Sequence, residues 1–294
     1  MAKIRLRKLI PAVLALSVLF SGCAELEKLK SQLADDSRPD YSNTVTVLDV
    51  GQAACTLIES EGQFCLIDAG YAGGTTDVPS YLKKRKVKTV DLLVLSHFHY
   101  DHTSEAMEII RNFDVKTVLI PSLLQENTPD SYLYQSLLSD SRQGYFTLEY
   151  AAKDKEFTIG SGTVKVLADT YNSDPDCDPN NTSVALSYTN GDFVYVNTAD
   201  IERRTETEYL VDYLPENITL FAAAHHGSQY SNTPRLLEKL SPEFVTISCS
   251  RENDYGHPHE KFLERLQDID AEYAATYEQG NIVYSMETKK LISE

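Results

Sequence analysis

All seven histidines of this chain fall in three short clusters. The first cluster reads H-x-H-x-D-H and consists of His97, His99, Asp101 and His102, directly after an apolar run at residues 92–95. The other two clusters are His225-His226 and His257-Pro258-His259. Neutral imidazole is the commonest metal ligand, and separate loops can bring their side chains to one ion. This distribution of histidines therefore predicts a metal site.

The spacing inside the first cluster predicts more than one ion. If residues 92–95 form a buried strand, the string falls on the turn that follows it. His97, His99 and Asp101 can then point the same way, and His102 begins the next helix. Four ligand-type side chains are more than one zinc ion normally takes from a single segment, which favours two metal ions. Unrelated surface or core histidines are the alternative, but chance rarely places four ligand types in six positions.

The first 22 residues have the composition of a targeting signal. Basic residues precede an apolar stretch at residues 9–20, which is too short to span a membrane. Ser21-Gly22-Cys23 follows, and the arrangement resembles a bacterial lipoprotein signal. We expect Cys23 to become the lipidated N-terminus and to anchor an exported protein on the outer face of the membrane. An ordinary signal peptide and an uncleaved anchor are the alternatives.

The rest of the chain divides into a tether and one domain. Residues 23–43 are rich in charge and are predicted to be flexible, whereas residues 44–294 suffice for one α/β domain with a substantial core. The formal net charge is −17, and cleavage of the signal would remove basic residues only. Such acidity argues against tight non-specific binding of duplex DNA. Two divalent ions would still allow a phosphate ester in the site. No protein partner is predicted.

Strand-like and helix-like patterns alternate in two similar halves. In the first half, three strands and a helix lead to the strand before the histidine string. In the second half, a hairpin about Asn190-Gly191 leads to Asp200. Two antiparallel-rich halves, each followed by helices, predict a four-layer αββα sandwich with ligands on loops at one edge. Cys55 and Cys65 fall on neighbouring strands out of register for a disulfide, so we expect buried thiols.

Seven short motifs occur in one order along the domain. They are VLDVGQ at 47–52, LIDAG at 66–70, the histidine string at 97–102, NTS at 181–183, TADIE at 198–202, HHGS at 225–228 and YGHP at 255–258. In this order they resemble the metallo-β-lactamase-fold hydrolases, specifically the branch that contains the nuclease domain of the competence protein ComEC and related phosphodiesterases. The resemblance implies two divalent ions, Zn²⁺ or Mn²⁺, with a bridging hydroxide as the nucleophile.

The resemblance also implies a role for each motif residue. The implied metal ligands are His97 and His99 at the first ion, Asp101 and His102 at the second, Asp200 between them, and His226 downstream. The implied catalytic groups are Asp101, which orients the nucleophile, and His225 or His257, which donates a proton. The implied substrate contacts are Asn181, Ser228 and Tyr255. The spacing leaves open which of His225, His226 and His257 binds metal.

The chain departs from the family pattern in three places. Many members carry a further histidine between the string and the bridging aspartate; this chain has none, so Asp178, Asn181 or water must substitute. The family pattern Gly-Gln-Gly-Asp appears here with Gln52-Ala53-Ala54 in place of its last three residues. The acid that typically supports the ligand histidines is therefore missing. Loss of such support commonly costs about 10-fold to 100-fold in metal affinity or activity. Ala199 replaces the usual glycine before the bridging aspartate, a milder change.

These residues favour an exported metal-dependent phosphodiesterase. Its substrate would be nucleic acid or an envelope polymer such as phosphocholine-bearing teichoic acid, and Tyr100 and Tyr255 are candidates for stacking in the pocket. Ordinary packing is the alternative role for the tyrosines. Ester, lactone or β-lactam hydrolysis on the same fold is the alternative activity. The change at Ala53-Ala54 also keeps open a catalytically weak lipoprotein that binds a metal or a ligand.

Overall fold

The computed structural model describes residues 41–122, 132–168 and 178–293. The predicted signal segment, most of the predicted tether and Cys23 lie outside the described residues, as does Cys177. The chain divides into two compact units, and the second unit, Tyr41–Glu294, contains all seven motifs of the predicted site. None of the helices in the described ranges has the length and the apolar character that crossing a bilayer requires.

The described part of the chain contains fifteen strands and eight α-helical segments. The strands are β1 Asn43–Val47, β2 Thr56–Ser60, β3 Gln63–Ile67, β4 Thr89–Val94, β5 Asp114–Ile120, β6 Thr147–Tyr150, β7 Glu156–Ile159, β8 Gly162–Ala168, β9 Ala185–Asn190, β10 Phe193–Asn197, β11 Leu220–Ala222, β12 Phe244–Ile247, β13 Glu272–Ala275, β14 Ile282–Ser285 and β15 Lys290–Ile292. The helices are α1 Val78–Lys84, α2 Tyr100–Thr103, α3 Ala106–Asn112, α4 Tyr132–Arg142, α5 Arg203–Thr205, α6 Pro234–Leu240, α7 Glu260–Asp268 and α8 Thr276–Gln279. Short 3-10 or π turns occupy Pro179–Thr182, Glu206–Leu210, Val211–Tyr213 and Ala224–Gly227.

The strands form two mixed sheets. The first has the order β15-β14-β1-β2-β3-β4-β5-β6, and the second has the order β13-β12-β11-β10-β9-β8-β7. In each sheet an antiparallel part is followed by a parallel part, β3 to β6 in the first and β10 to β13 in the second. Loops after parallel strands meet at one edge of a sheet, where α/β folds place their sites. The histidine string follows β4, Asp200 follows β10, and His225 follows β11.

Three apolar cores separate the layers. The inner core lies between the two sheets and includes Val45, Val94 and Tyr195, which are all fully buried or nearly so. The second core includes Leu82 and Ile109 of α1 and α3 against the first sheet. The third includes Leu236 and Phe262 of α6 and α7 against the second sheet. The two sheets with helices on both outer faces confirm the predicted four-layer αββα sandwich.

The structure corrects three local predictions. Extended backbone ends at His99, and α2 begins at Tyr100, so Asp101 lies in a helical turn instead of continuing the strand-like alternation. The residue pattern at 202–213 predicts one helix, but the structure divides this stretch into short α, π and 3-10 segments. The pattern after residue 268 predicts two closing strands, but three strands follow α7. Among the described cysteines, Cys55, Cys65 and Cys249 are buried and not disulfide-bonded, which confirms the prediction made for the first two.

Candidate metal centre

Four acidic and imidazole side chains converge at the edge where the parallel strands end. Asp101, His102, Asp200 and His226 each place one ligand atom within 4.8 Å of the ligand atoms of the others. His102 Nε2 lies 3.3 Å from Asp200 Oδ2, and His226 Nε2 lies 3.3 Å from Asp101 Oδ2. His226 Nε2 is also 3.8 Å from Asp200 Oδ2. Three loops thus supply one compact cluster, as the sequence predicts.

Three imidazole nitrogens at this centre are buried without a hydrogen bond to the residues that the structure describes. They are Nε2 of His97, of His102 and of His226, and the last two face carboxylate oxygens at 3.3 Å. A buried polar atom without a partner costs about 1–3 kcal/mol. A divalent ion would be the missing partner of each nitrogen, and the donor set of imidazole and carboxylate suits Zn²⁺ or Mn²⁺. The residues present therefore fit the metal ions that the fold implies.

The remaining two histidines of the string lie beside the cluster. The ring of His97 is 4.2 Å from that of His102 and 4.7 Å from that of His99, centroid to centroid. His97 is fully buried, whereas His99 lines the cavity above the cluster. Burial, together with His102, holds the pKa of His97 well below its usual range. A neutral imidazole with a free ring nitrogen is the form that binds a metal ion.

Strong electrostatic coupling ties the cluster together. Burial opposes the charge of Asp200, but His102 and His226 hold the pKa of this carboxyl well below its usual range. Burial likewise opposes the charge of His102, yet Asp200 and Asp68 raise its pKa well above the usual value. Despite its burial, Asp101 has a pKa lowered to about 2 by its contact with His226 and by His102. The site therefore holds anionic oxygen ligands at neutral pH.

A hydrogen-bond chain behind the cluster orients His102 and the adjacent His97. Asp68 Oδ2 lies 2.7 Å from His102 Nδ1, so the Nδ1–H of His102 donates to this carboxylate. The same carboxylate accepts from the backbone N–H of Ser96 at 2.7 Å and from its hydroxyl at 2.9 Å. The Ser96 hydroxyl also lies 3.1 Å from His97 Nδ1. Such support commonly matters almost as much as the ligands themselves.

The downstream histidines lie in a strained turn. His225 (φ 51°, ψ 49°) and His226 (φ 56°, ψ 26°) are both left-handed, a conformation that costs about 1–3 kcal/mol for each such residue. The side chain of Asn232 holds this turn, because it accepts from the backbone N–H of Ala224 at 2.8 Å and donates to the Ala224 carbonyl at 2.8 Å. Glu206 in turn accepts from the backbone N–H of Asn232 at 2.6 Å.

Because of the strained turn, the rings of His225 and His226 point in different directions. His226 donates from Nδ1 to the carbonyl of Ser248 at 2.8 Å and presents Nε2 to the cluster. His225 stays outside the four-residue cluster, with its Nε2 3.7 Å from Asp200 Oδ2 and its side chain 21% exposed. His257 is also outside the cluster, with its ring 5.5 Å from that of His225. Of the three downstream histidines in question, His226 is therefore the candidate metal ligand, and the imidazoles of His225 and His257 lie outside the ligand cluster.

An open cavity of about 340 Å³ lies above the cluster. Its described lining residues are Gln52, His99, Tyr100, Asp101, Asn180, Asp200, His225, His226, Tyr255 and His257. A second cavity, of about 530 Å³, shares Gln52, Tyr100, Asp101 and Tyr255 with the first and adds Tyr71. No lysine or arginine occurs among the described residues that line the two cavities.

The predicted substrate contacts are distributed unevenly around this cavity. Tyr255 lines it, 67% exposed, with its ring stacked on that of His257. Asn181 does not line it; its side chain accepts from the backbone N–H of Glu202 at 3.0 Å. Ser228 is buried, and its hydroxyl accepts from the backbone N–H of Tyr230 at 3.2 Å. The structure therefore brings only the tyrosine of these three into the cavity.

Several residues at the centre have no role predicted from the sequence. Asp68 directly follows β3, which pairs in parallel with β4. This pairing of neighbouring strands was the available signal that Asp68 lies close to the histidine string. Gln52 contacts His257 Nδ1 at 3.3 Å. Asn180 lines the cavity directly beside the predicted Asn181. Glu206 and Asn232 act through backbone contacts over a long sequence separation, for which the sequence carries no signal.

The lost acid leaves a space behind the ligands. Ala54 lines a small cavity of about 30 Å³ together with His102, Asp200 and His226. That volume is enough for a water molecule. The cavity therefore lies beside the position of the family's carboxylate, and Asp68, which supports His102 through Nδ1, also lines it.

A sequence model of the metallo-beta-lactamase superfamily matches residues 48–251 of the chain. The match covers more than half of the sequence, so the chain belongs to the metallo-beta-lactamase superfamily. With its candidate metal cluster, it is a metal-dependent hydrolase of that superfamily.

Two curated relatives place the chain in the ComEC-type branch that its motifs predict. It is 27% identical to ComE operon protein 3 of Bacillus subtilis over 204 residues, which cover 69% of this chain and 26% of the relative. It is 27% identical to Recombination protein 2 of Haemophilus influenzae over 236 residues, which cover 78% of this chain and 27% of the relative. The chain thus spans about a quarter of the length of these relatives.

Solved structures agree on the fold. The crystal structure of the metallo-beta-lactamase fold protein YhfI from Bacillus subtilis superposes with a TM-score of 0.54 at 15% sequence identity. The superposition covers 82% of this chain and 99% of YhfI.

Proposed function

We propose that this hydrolase is a phosphodiesterase. The observation that carries the proposal is the arrangement of two free imidazoles, His225 and His257, over a cluster of four ligands at the mouth of an open cavity. Phosphodiester cleavage requires an activated water, stabilisation of a developing negative charge, and a proton for the leaving oxygen. The described residues provide a group for each of these three tasks.

Two divalent ions bound by the cluster would lower the pKa of water and stabilise charge on the phosphoryl oxygens. Asp101, on the cavity side of the cluster, accepts a hydrogen bond and so holds the attacking water in line with the scissile bond. Burial lowers the pKa of His225, and the nearby Asp200 carboxylate counteracts only part of the shift. His225 is the proposed proton donor to the leaving oxygen because its ring lines the cavity outside the ligand cluster, with Nε2 3.7 Å from Asp200 Oδ2.

His257 has a different role in this proposal, because its hydrogen bonding fixes its tautomer. Gln52 Oε1 accepts from the backbone N–H of Ser250 at 3.1 Å, which leaves the Gln52 amide NH₂ to donate to His257 Nδ1 at 3.3 Å. The ring proton of His257 therefore lies on Nε2. Burial, together with His226 and His225, lowers the pKa of His257 to about 3 and keeps it neutral. It is the proposed neutral donor to a phosphate oxygen.

The second cavity supports a substrate with a flat group next to the phosphodiester. Tyr71, Tyr100 and Tyr255 are 43%, 63% and 67% exposed around it, and no cationic side chain lies among its described lining residues. An aromatic surface without cations favours stacking of a base or a sugar ring over capture of a long polyanion. Nucleic acid ends and phosphodiesters of envelope polymers are the two proposed substrates.

We further propose the location given by the signal-like segment. The exported protein is held on the outer face of the membrane through a lipidated Cys23, so the membrane is its partner there and its substrate is outside the cell. Metabolic labelling with a tritiated fatty acid tests this location. Label in the wild-type protein and none in Cys23→Ser supports it, and equal label in both contradicts it.

The activity is tested by metal analysis combined with turnover of bis-(p-nitrophenyl) phosphate under Mn²⁺ or Zn²⁺. We expect two ions per chain and a loss of about 100-fold to 1000-fold in kcat for Asp101→Ala. Asp212→Ala, which removes an exposed carboxylate paired with Arg235, is the control and keeps its activity. DNA and teichoic-acid fragments then separate the two substrates.

One observation favours a second function, that of a binding protein with weak catalysis. The space at Ala54 means that one support of the ligand histidines is missing, which favours a metal- or ligand-binding protein with weak catalysis. Two bound ions without turnover of any phosphodiester, ester or lactam would support this function and contradict the phosphodiesterase.

A further inference from the structure

The two-ion arrangement leaves the first ion one ligand short. His97, His99 and the shared Asp200 supply three protein ligands, and the sequence has no histidine between the string and Asp200. One polar side chain of the cavity wall, that of Asn180, is buried with an unsatisfied oxygen. Asn180 is only 7% exposed, and its Oδ1 is buried with no hydrogen-bond partner among the described residues. It lines the same cavity as His99 and Asp200.

The neighbours of Asn180 have other contacts. The carboxylate of Asp178 begins the 3-10 turn Pro179–Thr182 by accepting from the backbone N–H of Asn180 at 2.9 Å. Asn181 Oδ1 accepts from the backbone N–H of Glu202 at 3.0 Å, and its amide NH₂ lies 3.4 Å from Glu202 Oε2. Each of these two side chains therefore has a structural partner, in contrast to Asn180 Oδ1.

The backbone around Asn180 is fixed relative to the histidine string. Pro179 limits the start of the turn, and the hydroxyl of Thr182 donates to the Pro179 carbonyl at 2.7 Å. Beyond the turn, the backbone N–H of Val184 donates to the carbonyl of Ser96, the residue before His97, at 2.9 Å. A buried amide oxygen without a partner is destabilising, and a metal ion bound to that oxygen would remove the cost.

We infer that Asn180 Oδ1 is a ligand of the metal ion at His97 and His99, in the place of the absent histidine. The site then combines two imidazole nitrogens, the Asp200 carboxylate and a neutral amide oxygen. Oxygen ligands suit Mn²⁺ better than Zn²⁺, relative to a site with three imidazoles. The inference rests on the metal centre within the proposed function and does not depend on which ester is cleaved.

The test measures metal binding in the absence of substrate. The full chain, Asn180→Ala, Asn180→Asp and Asn112→Ala are titrated with Mn²⁺ by calorimetry, and bound manganese is counted after dialysis. Asn112 is an exposed asparagine at the end of α3, and its replacement is the matched control. We expect two ions in the wild type and in the control. Asn180→Ala should weaken one of the two ions by about tenfold or more and leave the other unchanged.

Asn180→Asp covers the case in which the alanine variant does not fold, because aspartate has the same shape. A carboxylate that contacts the ion directly should tighten one Mn²⁺ by about tenfold and leave the other unchanged. Two ions bound to Asn180→Ala with wild-type affinity would overturn the inference. A wild type that binds only one ion, or an unchanged affinity in Asn180→Asp, would overturn it as well.

The metal count separates the ligand role of Asn180 from the proposed activity. If the wild type binds two Mn²⁺ and Asn180→Ala loses one, the ligand assignment stands even when no phosphodiester is cleaved. If Asn180→Ala binds both ions normally, the ligand assignment fails even when the wild type is an active phosphodiesterase.

Discussion

The carboxylate of Asp68 holds the ring of His102 through a hydrogen bond of 2.7 Å to Nδ1. Because Nδ1 carries the proton, Nε2 is left as the nitrogen that faces Asp200 and the candidate metal position. The two residues are 34 positions apart, and they meet because β3 and β4 pair in parallel. The position of the second ion is thus built into the first sheet.

Asp68→Asn should therefore weaken metal binding. The amide keeps the shape of the carboxylate but loses its charge, and it presents an NH₂ where an acceptor is required. We expect the affinity for divalent metal to fall about 10-fold to 100-fold, measured by competition with a coloured chelator. Asp91→Asn is the matched control, since Asp91 also accepts a backbone N–H, from Phe64 at 2.8 Å, but lies within β4 and outside the metal cluster. Equal losses in the two variants would show a general effect on stability.

The histidine pattern made the fold and the core of the site predictable. Metal-ligand residues at H-x-H-x-D-H and at two later clusters are compatible with few kinds of site other than a metal centre. The strand patterns around them predict the four layers of the fold. The structure added what depends on backbone conformation. Ala199 is left-handed, with φ 46°, so its change from glycine is more demanding than the sequence alone suggests. The start of α2 at Tyr100 and the left-handed turn at His225 likewise could not be predicted from the residue types alone.

Contacts between distant segments could not be predicted for a different reason. Asn180 and Asn181 are the same residue type at neighbouring positions, and only the turn decides which one faces the cavity. The sequence predicts a substrate contact at Asn181, but this side chain instead holds Glu202. Asn232 stabilises the turn of the downstream histidines through its side-chain amide, eight positions after Ala224. Such roles depend on packing, which one sequence does not specify.

Restoring the family's acid should strengthen the metal centre. Ala54→Asp places a carboxylate in the space of about 30 Å³ beside His102, Asp200 and His226. We expect metal affinity to rise about tenfold or more, measured by calorimetry. Without metal the added buried charge near Asp200 should lower the melting temperature. Ala54→Asn fills the same space without charge and is the control; an equal gain in affinity for asparagine would contradict an electrostatic cause.

Removing a cavity tyrosine should affect substrate binding more than the chemical step. Tyr255 is exposed over the cavity and is not in the four-residue cluster, so Tyr255→Ala removes a stacking surface. Stacking on one aromatic ring contributes about 1–3 kcal/mol, and KM for a dinucleotide should rise about 5-fold to 100-fold with kcat nearly unchanged. Tyr145, which is 66% exposed and lines neither cavity, provides the control Tyr145→Ala. A loss confined to kcat would contradict a stacking role.

Glu206 should make the stability of the metal-free protein depend on pH. Burial raises its pKa to about 7 from 4.5, although the backbone N–H groups of Thr233 and Asn232 counteract the shift. The folded state then binds a proton that the unfolded state has lost, so stability falls as pH rises from about 4.5 to 7. The full shift corresponds to about 3 kcal/mol.

Glu206→Gln cannot titrate, so it isolates this contribution. Its amide leaves one of the two backbone N–H groups without an acceptor, which lowers stability by about 1–3 kcal/mol at pH 5, where the wild-type carboxyl is protonated. Between pH 5 and pH 7.5 the wild type should lose about 2–3 kcal/mol relative to the variant, measured by urea unfolding with chelator present. Parallel stability curves for the two proteins would show that Glu206 does not titrate in this range. Because Glu206 holds Asn232, and Asn232 holds the turn of His226, the variant should also bind metal more weakly than the wild type.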